Sequence, residues 1–346
     1  MRRRVGAIDG RGRGVCVEEK IPDLRAGRIG VRVRASLISP GTELGGVGRM
    51  RENPDPDRPP RPFGYANAGV VEALGEGVDR FEVGQRVACM GGGYALHADY
   101  VCVPQNLSVP IPDGVSFEEA SFAHLAATAL QAIRRTGPLF GENGVVMGLG
   151  LVGNMSAQFA RLCGCHVLGV DRIPLRTEIG RRVGIEEVID GKTQDPVAAS
   201  EAFSRGYGMD FGIIAFGGDG NEAFEQIYQS LKQTPDGHRM GRIVIVGGAV
   251  VSHLFAAGLG NVDVRSAART GPGYHDDEYE HGRDYPRVFV EWTTRRNLEE
   301  CLRAIGDGRL KVEPLITHRL ALGEIGRAVD LLVEEPGKAL GVVLQP

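Results

Sequence analysis

Apolar and polar residues alternate with period two through RIGVRVRASLI (28–38). Short apolar runs between turn glycines follow in AGVVEALGEGVDRFEVGQRVACM and ADYVCVP. Alternation of this kind predicts strands with one buried face, so the first third of the chain reads as a small, curved, β-rich domain. Between these strands RENPDPDRPPRP, from Arg51 to Pro62, holds five prolines. Proline fixes φ and removes a ladder donor, so an extended surface loop without helix or ladder strand is expected there.

From Glu118 the period changes. FEEASFAHLAATALQAIRRTG carries an apolar face at helical spacing and should stop at Gly137, with Pro138 behind it. In NGVVMGLGLVGNMSAQFARLCGCHVLGVD, a strand at Val145 to Met147 runs into Gly148, Gly150 and Gly153. A helix follows with Val152, Met155, Phe159 and Leu162 on one face, then a second strand ending at Asp171. Further strand and helix units are expected in EEVID, MDFGIIAFGG, NEAFEQIYQSLK, GRIVIVGG and VDVRSAART. Apolar strands buried on both sides, alternating with helices, predict a doubly wound parallel sheet and an α/β fold.

The glycine spacing carries chemistry in this setting. Gly148 permits a tight turn, Gly150 lets backbone approach a pyrophosphate, and Gly153 lets helix and strand pack closely. The helix N-terminus, at Leu151 and Val152, supplies N–H groups and a positive dipole end. Asp171 stands 18 residues beyond Gly153, where a carboxylate accepts hydrogen bonds from a ribose diol. A carboxylate repels a 2′-phosphate, so NAD is the expected cofactor, while neighbouring Arg172 keeps NADP possible. Ala215, Phe216, Val246 and Gly247 fall at the carboxyl ends of predicted strands, where such sheets bind ligands, and are candidate neighbours of the nicotinamide.

Composition narrows the classes. A chain of 346 residues, 42% hydrophobic with a net charge of −4, can bury a real core and shows no basic track for nucleic acid or membrane. No apolar h-region follows the basic start and no segment is apolar enough to span a bilayer, so a cytoplasmic protein is expected. The six cysteines are scattered without a CxxC pair and are expected to be reduced thiols.

AGVVEALGEGVDRFEVGQRV, ADYVCVPQNLSVPIPDGVSFEEAS, AATALQA and GLGLVG together resemble the medium-chain dehydrogenase/reductase superfamily. The resemblance covers nearly the whole chain. It implies a GroES-like catalytic domain over 1–117, a Rossmann dinucleotide-binding domain over 118–274, and a return segment over 275–346 that completes the catalytic domain. Gln85 stands where the superfamily usually has Asp. ISPGTE, with GPGYHDDEYE, DYP and VEWTTRRN, is similar to a zinc-lacking branch that includes bacteriochlorophyllide a dehydrogenase-like proteins and sugar or cyclitol dehydrogenases.

Zinc-dependent members of that superfamily carry Cys-Gly-Thr-Asp, then Gly-His-Glu, then a third ligand. Here Ser39 or Pro40 stands for the cysteine, Tyr65 and Ala66 stand for His and Glu, and the structural four-cysteine lobe is missing. A catalytic zinc needs three placed protein ligands. Only His124 falls near one, so no metal is expected. The resemblance then implies acid–base work by side chains. His124 or Tyr65 is the candidate acid/base, with Thr42 and Glu43 relaying protons or holding cofactor ribose. Structural readings stand beside these: a satisfied core histidine, a tyrosine filling the metal hole, a carboxylate that caps or pairs. His97 reads as structural.

GYHDDEYEHG (273–282) gathers two histidines, four acidic residues and two tyrosines within one acid-rich run. A solvated surface, a substrate-contacting loop and a metal site all remain open for it, with Ser39, Tyr274 and His275 as substrate-loop candidates. The expected function is zinc-independent, NAD-linked hydride transfer at a secondary alcohol of a polyol, sugar or cyclitol. The alternative is an NADPH-dependent quinone or enoyl reductase of the same superfamily. A non-catalytic binding subunit finds no support in the intact glycine fingerprint. A small-molecule substrate and a homodimer or homotetramer, built through an edge strand near GRIVIVGG, complete the expectation.

Overall fold

A computed structural model describes residues 2–253 and 256–346. The chain forms two compact units, residues 1–127 with 270–346, and residues 128–269. The sequence reading had set these boundaries at 117/118 and 274/275.

In the first unit, Arg28–Leu37 is the axis of a seven-stranded sheet. It pairs antiparallel with Ala66–Leu74, Tyr100–Pro104 and Gly341–Gln345, and the last of these pairs parallel with Ile316–Ala321. The inward positions of the alternating pattern, Ile29, Val31, Val33, Ala35 and Leu37, are buried, as period two requires. A core of Ile38, Leu44, Val47, Leu320, Ile325, Val329 and Leu344 ties the C-terminal helix Ile325–Glu334 to the segment after the axial strand.

The proline-rich stretch departs from expectation at both ends. Arg51 and Glu52 complete a short helix, Val47–Glu52, before the first proline of the run. Arg61–Pro62 form a two-residue ladder against Ile8 and Ala7, in a small sheet with Arg2–Ile8 and Gly14–Lys20. Pro62 is tolerated because so short a strand at a sheet edge asks little of its missing N–H.

The second unit holds a six-stranded sheet, every pair parallel. Its order is Glu187–Asp190, His166–Asp171, Asn143–Met147, Phe211–Ile214, Met240–Val246, Asn261–Ala267. Strand order reverses beside Asn143–Met147, and such a switch point opens a crevice at the carboxyl ends of the strands. Met240–Val246, where an edge was expected, is paired on both sides; among the described residues Asn261–Ala267 is the outer strand on that flank.

The helix Leu151–Leu162 buries Met155 and Phe159, but Leu162 is 45% exposed at its last position. It sits where the helix leaves the sheet, so the expected apolar face ends a turn early. The expected helix after Ser116 is broken into Phe117–Ala120, closed by a Ser116–Glu119 capping box, and Ala123–Thr136. It stops at Gly137, whose φ is +59°. All six cysteines are free.

Candidate functional site

The candidate site residues fall into two groups, one in each unit. In the second, Gly148 follows the central strand with φ of +91°, a conformation that L side chains adopt only under strain. A Cβ on Gly153 would stand 1.8 Å from the Gly148 carbonyl oxygen, whereas one on Gly150 would meet nothing within 4 Å. Gly153 is therefore needed for packing, while Gly150 leaves the backbone open on the side from which a pyrophosphate would approach. Gly150 caps the helix that begins at Leu151 and Val152, and no side chain occupies the cap. The N-terminal N–H groups of such a helix suit an anion.

Asp171 ends the neighbouring strand and is buried. One carboxylate oxygen accepts from the Leu149 N–H at 2.7 Å and the other from the Ile173 N–H at 2.8 Å. Each oxygen keeps a second lone pair, so the group is held in place with capacity left for a ribose diol. Arg172 turns instead to Glu222, at 2.6 Å. Ala215 and Phe216 border the glycine turn, each within 3.1 Å of a Cβ built on Gly148. Val246 is buried at the end of its strand and Gly247 follows with φ of +91°. These residues fit a dinucleotide.

The first unit assembles its group through sheet register. Ser36 pairs with Asn67 across the antiparallel ladder, so the chain leaving one strand at Ser39 stands beside the chain entering the other at Tyr65. Pro40–Glu43 then forms a single helical turn with proline at its start. The Ser39 hydroxyl makes no cap bond there. It and the Thr42 hydroxyl instead lie close enough to the Tyr65 phenol to favour its ionised form. Burial, reinforced by the Glu43 carboxylate, pushes the Tyr65 phenol well above its ordinary value, against the opposing pull of those two hydroxyls.

His124 lies in the first turn of Ala123–Thr136 and is 6% exposed. Its Nδ1 is 2.8 Å from the Tyr65 carbonyl oxygen, which also accepts from the Gly91 N–H at 3.0 Å. An oxygen acceptor requires the proton on Nδ1, which makes Nε2 the basic nitrogen. Burial lowers the imidazole to about 4, only partly offset by the bond to Tyr65. The positive end of the helix acts in the same direction. The Tyr65 ring lies 4.3 Å from that of His124, and the Tyr274 ring meets His124 edge-on at 6.1 Å.

The acid-rich stretch resolves into structure and one aromatic face. Asp276 caps the short helix Asp277–Glu280 by accepting from the Tyr279 N–H, and also accepts from the Tyr285 hydroxyl. Buried Glu280 accepts from the His275 N–H at 2.8 Å, and His281 bonds the Asp277 carbonyl. Tyr274 accepts from the Gly92 N–H at 2.8 Å and stacks on exposed His275 at 3.9 Å. Among the described residues no group of three or more His, Cys, Asp or Glu is arranged to hold a metal ion. At the positions of the superfamily's zinc ligands stand Ser39 or Pro40, Tyr65, Ala66 and a histidine whose Nδ1 is engaged by a carbonyl. That donor set does not suit a catalytic zinc.

The structure places Ser39, Thr42, Tyr65, His124 and Tyr274 in one unit, together with His97, which the sequence reads as structural, and Ser36, which it does not single out. His97 is wholly buried, with Nδ1 2.9 Å from the Ser36 hydroxyl and Nε2 3.3 Å from Glu43 Oε1. Glu43 does not face outward toward a ribose: its side chain is 3% exposed and its other oxygen accepts from the Ser39 N–H at 2.6 Å. The only signal in the sequence was indirect, a carboxylate within an apolar segment that would need a partner.

The family model for the alcohol dehydrogenase GroES-like domain matches residues 25–113, and that for zinc-binding dehydrogenase matches residues 152–279. An alcohol dehydrogenase of Geobacillus stearothermophilus is 25% identical, over 92% of this chain and 95% of its own. A sorbitol dehydrogenase of Bacillus subtilis is 29% identical, over 54% of this chain and 59% of its own. An Escherichia coli oxidoreductase of unknown specificity has the same fold, with a TM-score of 0.81 at 19% identity over 100% of this chain and 99% of its own. The chain belongs to the zinc-type medium-chain dehydrogenase/reductase superfamily and is an alcohol dehydrogenase-like oxidoreductase.

Proposed function

We propose that the protein is a zinc-independent, NAD(H)-dependent dehydrogenase that oxidises a secondary alcohol of a polyol, sugar or cyclitol, or reduces the matching ketone. The observation that carries this reading is the placement of Tyr65 beside the Ser39–Glu43 turn, where zinc enzymes place metal ligands, with its ring 4.3 Å from that of His124. The sorbitol dehydrogenase relative supports the polyol class.

When bound, the nicotinamide exchanges hydride with the carbinol carbon. The protein's own residues handle the proton. Tyr65, its pKa raised by burial and by Glu43, stays protonated across the physiological range and donates to a developing alkoxide in reduction. In oxidation the same hydroxyl chain carries the proton away through Thr42, which is exposed. Neutral His124 lines the same space through its ring, while Tyr274 and His275 present an aromatic face to the carbon skeleton. Asp171, with Arg172 drawn off by Glu222, favours NAD over NADP. Assembly as a homodimer or homotetramer and a cytoplasmic location belong to the same proposal; among the described residues no helix is long and apolar enough to cross a membrane.

The test is NADH formation by chelator-treated protein with NAD⁺ and a panel of polyols, sugars, cyclitols and sugar phosphates, with NADP⁺ in parallel. Turnover with NAD⁺, unchanged by the chelator, is expected. Loss of turnover on chelation and its return with zinc would overturn zinc independence. Reduction of quinones or enones with NADPH alone would replace the alcohol reading.

A further inference from the structure

The buried pair His97 and Glu43 is left unexplained by hydride transfer. A carboxylate this deep costs several kcal/mol unless compensated, and few core positions tolerate such a group without a reason. Compensation comes from two sides. One Glu43 oxygen takes the Ser39 N–H at 2.6 Å, and the other faces His97 Nε2 at 3.3 Å. The second contact is close but is not a formed hydrogen bond, and among the described residues neither Glu43 Oε1 nor His97 Nε2 has another partner, so imidazole and carboxylate are left facing each other.

His97 is itself anchored on every side. Ser36 meets Nδ1 at 2.9 Å, and Phe63 packs its ring against the imidazole at 4.8 Å. The His97 N–H donates to the Phe63 carbonyl at 3.1 Å, and its carbonyl accepts from the Gly6 N–H at 2.7 Å. Gly64, with φ of +129°, is forced to be glycine by the same packing, because a Cβ there would stand 2.3 Å from the His97 nitrogen. A rigid imidazole therefore holds a carboxylate, and the carboxylate holds both ends of the turn from Ser39 to Glu43. The Glu43 N–H closes that turn on the Ser39 carbonyl at 3.0 Å. The two side chains that lie close to the Tyr65 phenol, beside which the sheet register sets this turn, are Ser39 and Thr42.

We propose that His97 is a positioning residue of the active site: through Glu43 it fixes the Ser39–Glu43 turn so that two hydroxyls meet the Tyr65 phenol. This rests on the acid–base reading of Tyr65 given above. Glu43 thereby becomes a positioning group rather than a proton relay or a ribose ligand.

The experiment compares the full chain with His97→Ala and His97→Gln, measuring kcat and KM with NAD⁺ and the best alcohol of the panel, and amide hydrogen exchange over residues 39–44. His97→Ala is expected to lower kcat about tenfold with KM nearly unchanged, since hydroxyls displaced by a fraction of an ångström spoil proton transfer more than binding. His97→Gln keeps an N–H donor within reach of Glu43 and is expected to recover most of that loss. Exchange over 39–44 is expected to quicken about tenfold in His97→Ala, with the neighbouring strands unchanged. Equal kcat in all three chains, or a fall in thermal stability with exchange over 39–44 unaltered, overturns the proposal. Should His97→Ala not fold, Ser36→Ala releases Nδ1 while leaving the ring in place; a smaller loss of kcat in the same direction supports the proposal and none overturns it. If the wild-type chain oxidises no alcohol, the Tyr65 reading fails by itself, and hydrogen exchange still decides whether His97 holds the turn.

Discussion

The two units place their chemistry in contrasting ways. In residues 128–269 the candidate cofactor site is nearly continuous: Gly148, Gly150, Gly153 and Asp171 lie within one strand–helix–strand unit, and local backbone geometry does most of the work. In the other unit Ser39, Thr42, Tyr65, His97, His124 and Tyr274 come from separate segments and meet only through sheet register and burial. A continuous site fails when its backbone is obstructed, whereas an assembled one fails when a single functional group is lost. Substitutions in one should therefore leave the other's observable intact.

Tyr65→Phe should give the largest effect. Removing the phenol oxygen leaves the ring, its contact with His124 and the strand entry in place, but takes away the proton donor. A fall in kcat of about a hundredfold or more is expected, within the usual range for a lost acid or base, with the affinity for NADH unchanged in a fluorescence titration. A matching loss of NADH affinity would show that the two sites are not separable in this way.

The reciprocal test uses the glycines. Gly150→Val adds a side chain into open space, so the melting temperature should hold while NADH binding weakens about a hundredfold, or about 3 kcal/mol. Gly153→Val drives a side chain into the Gly148 carbonyl and should destabilise the unit itself. If both variants bind and melt alike, the division of labour among these glycines is wrong.

This contrast also explains what could be read from the sequence. The parallel sheet, the glycine turn and Asp171 were legible because period, spacing and backbone need all lie within one short window. Tyr65, Thr42 and His124 were found only through the superfamily's ligand positions. His97 reads as structural in the sequence, and nothing in YALHADYV marks it as the neighbour of a carboxylate 54 positions earlier. For Glu43 the sequence leaves open a relay or ribose role and a capping or pairing one, because exposure is a property of the packed sheet and not of ISPGTE; its side chain is 3% exposed. DDEYE is open in the sequence to surface, substrate-loop and metal readings; capping by Asp276 and the backbone contact of buried Glu280 give it structure, while Asp277 and Glu278 stay exposed.

The smallest expected effect concerns stability, and it tests whether the assembled site keeps His124 neutral. Burial holds the folded-state pKa at about 4 against an ordinary value of 6.5. Between these values the unfolded chain binds more protons than the folded one. The stability conferred by a neutral His124 is thus complete above pH 6.5 and is lost as pH falls toward 4. From pH 7 to pH 5 the loss should be about 1–2 kcal/mol, given roughly 1.4 kcal/mol per pKa unit. Urea unfolding at the two pH values measures it directly. His124→Gln keeps a donor for the Tyr65 carbonyl but cannot titrate, so its stability should fall less over the same interval by about that amount. Equal slopes for the two chains would mean that His124 is solvated and free to charge, which would restore it as a conventional base and weaken the assignment of the proton donor to Tyr65.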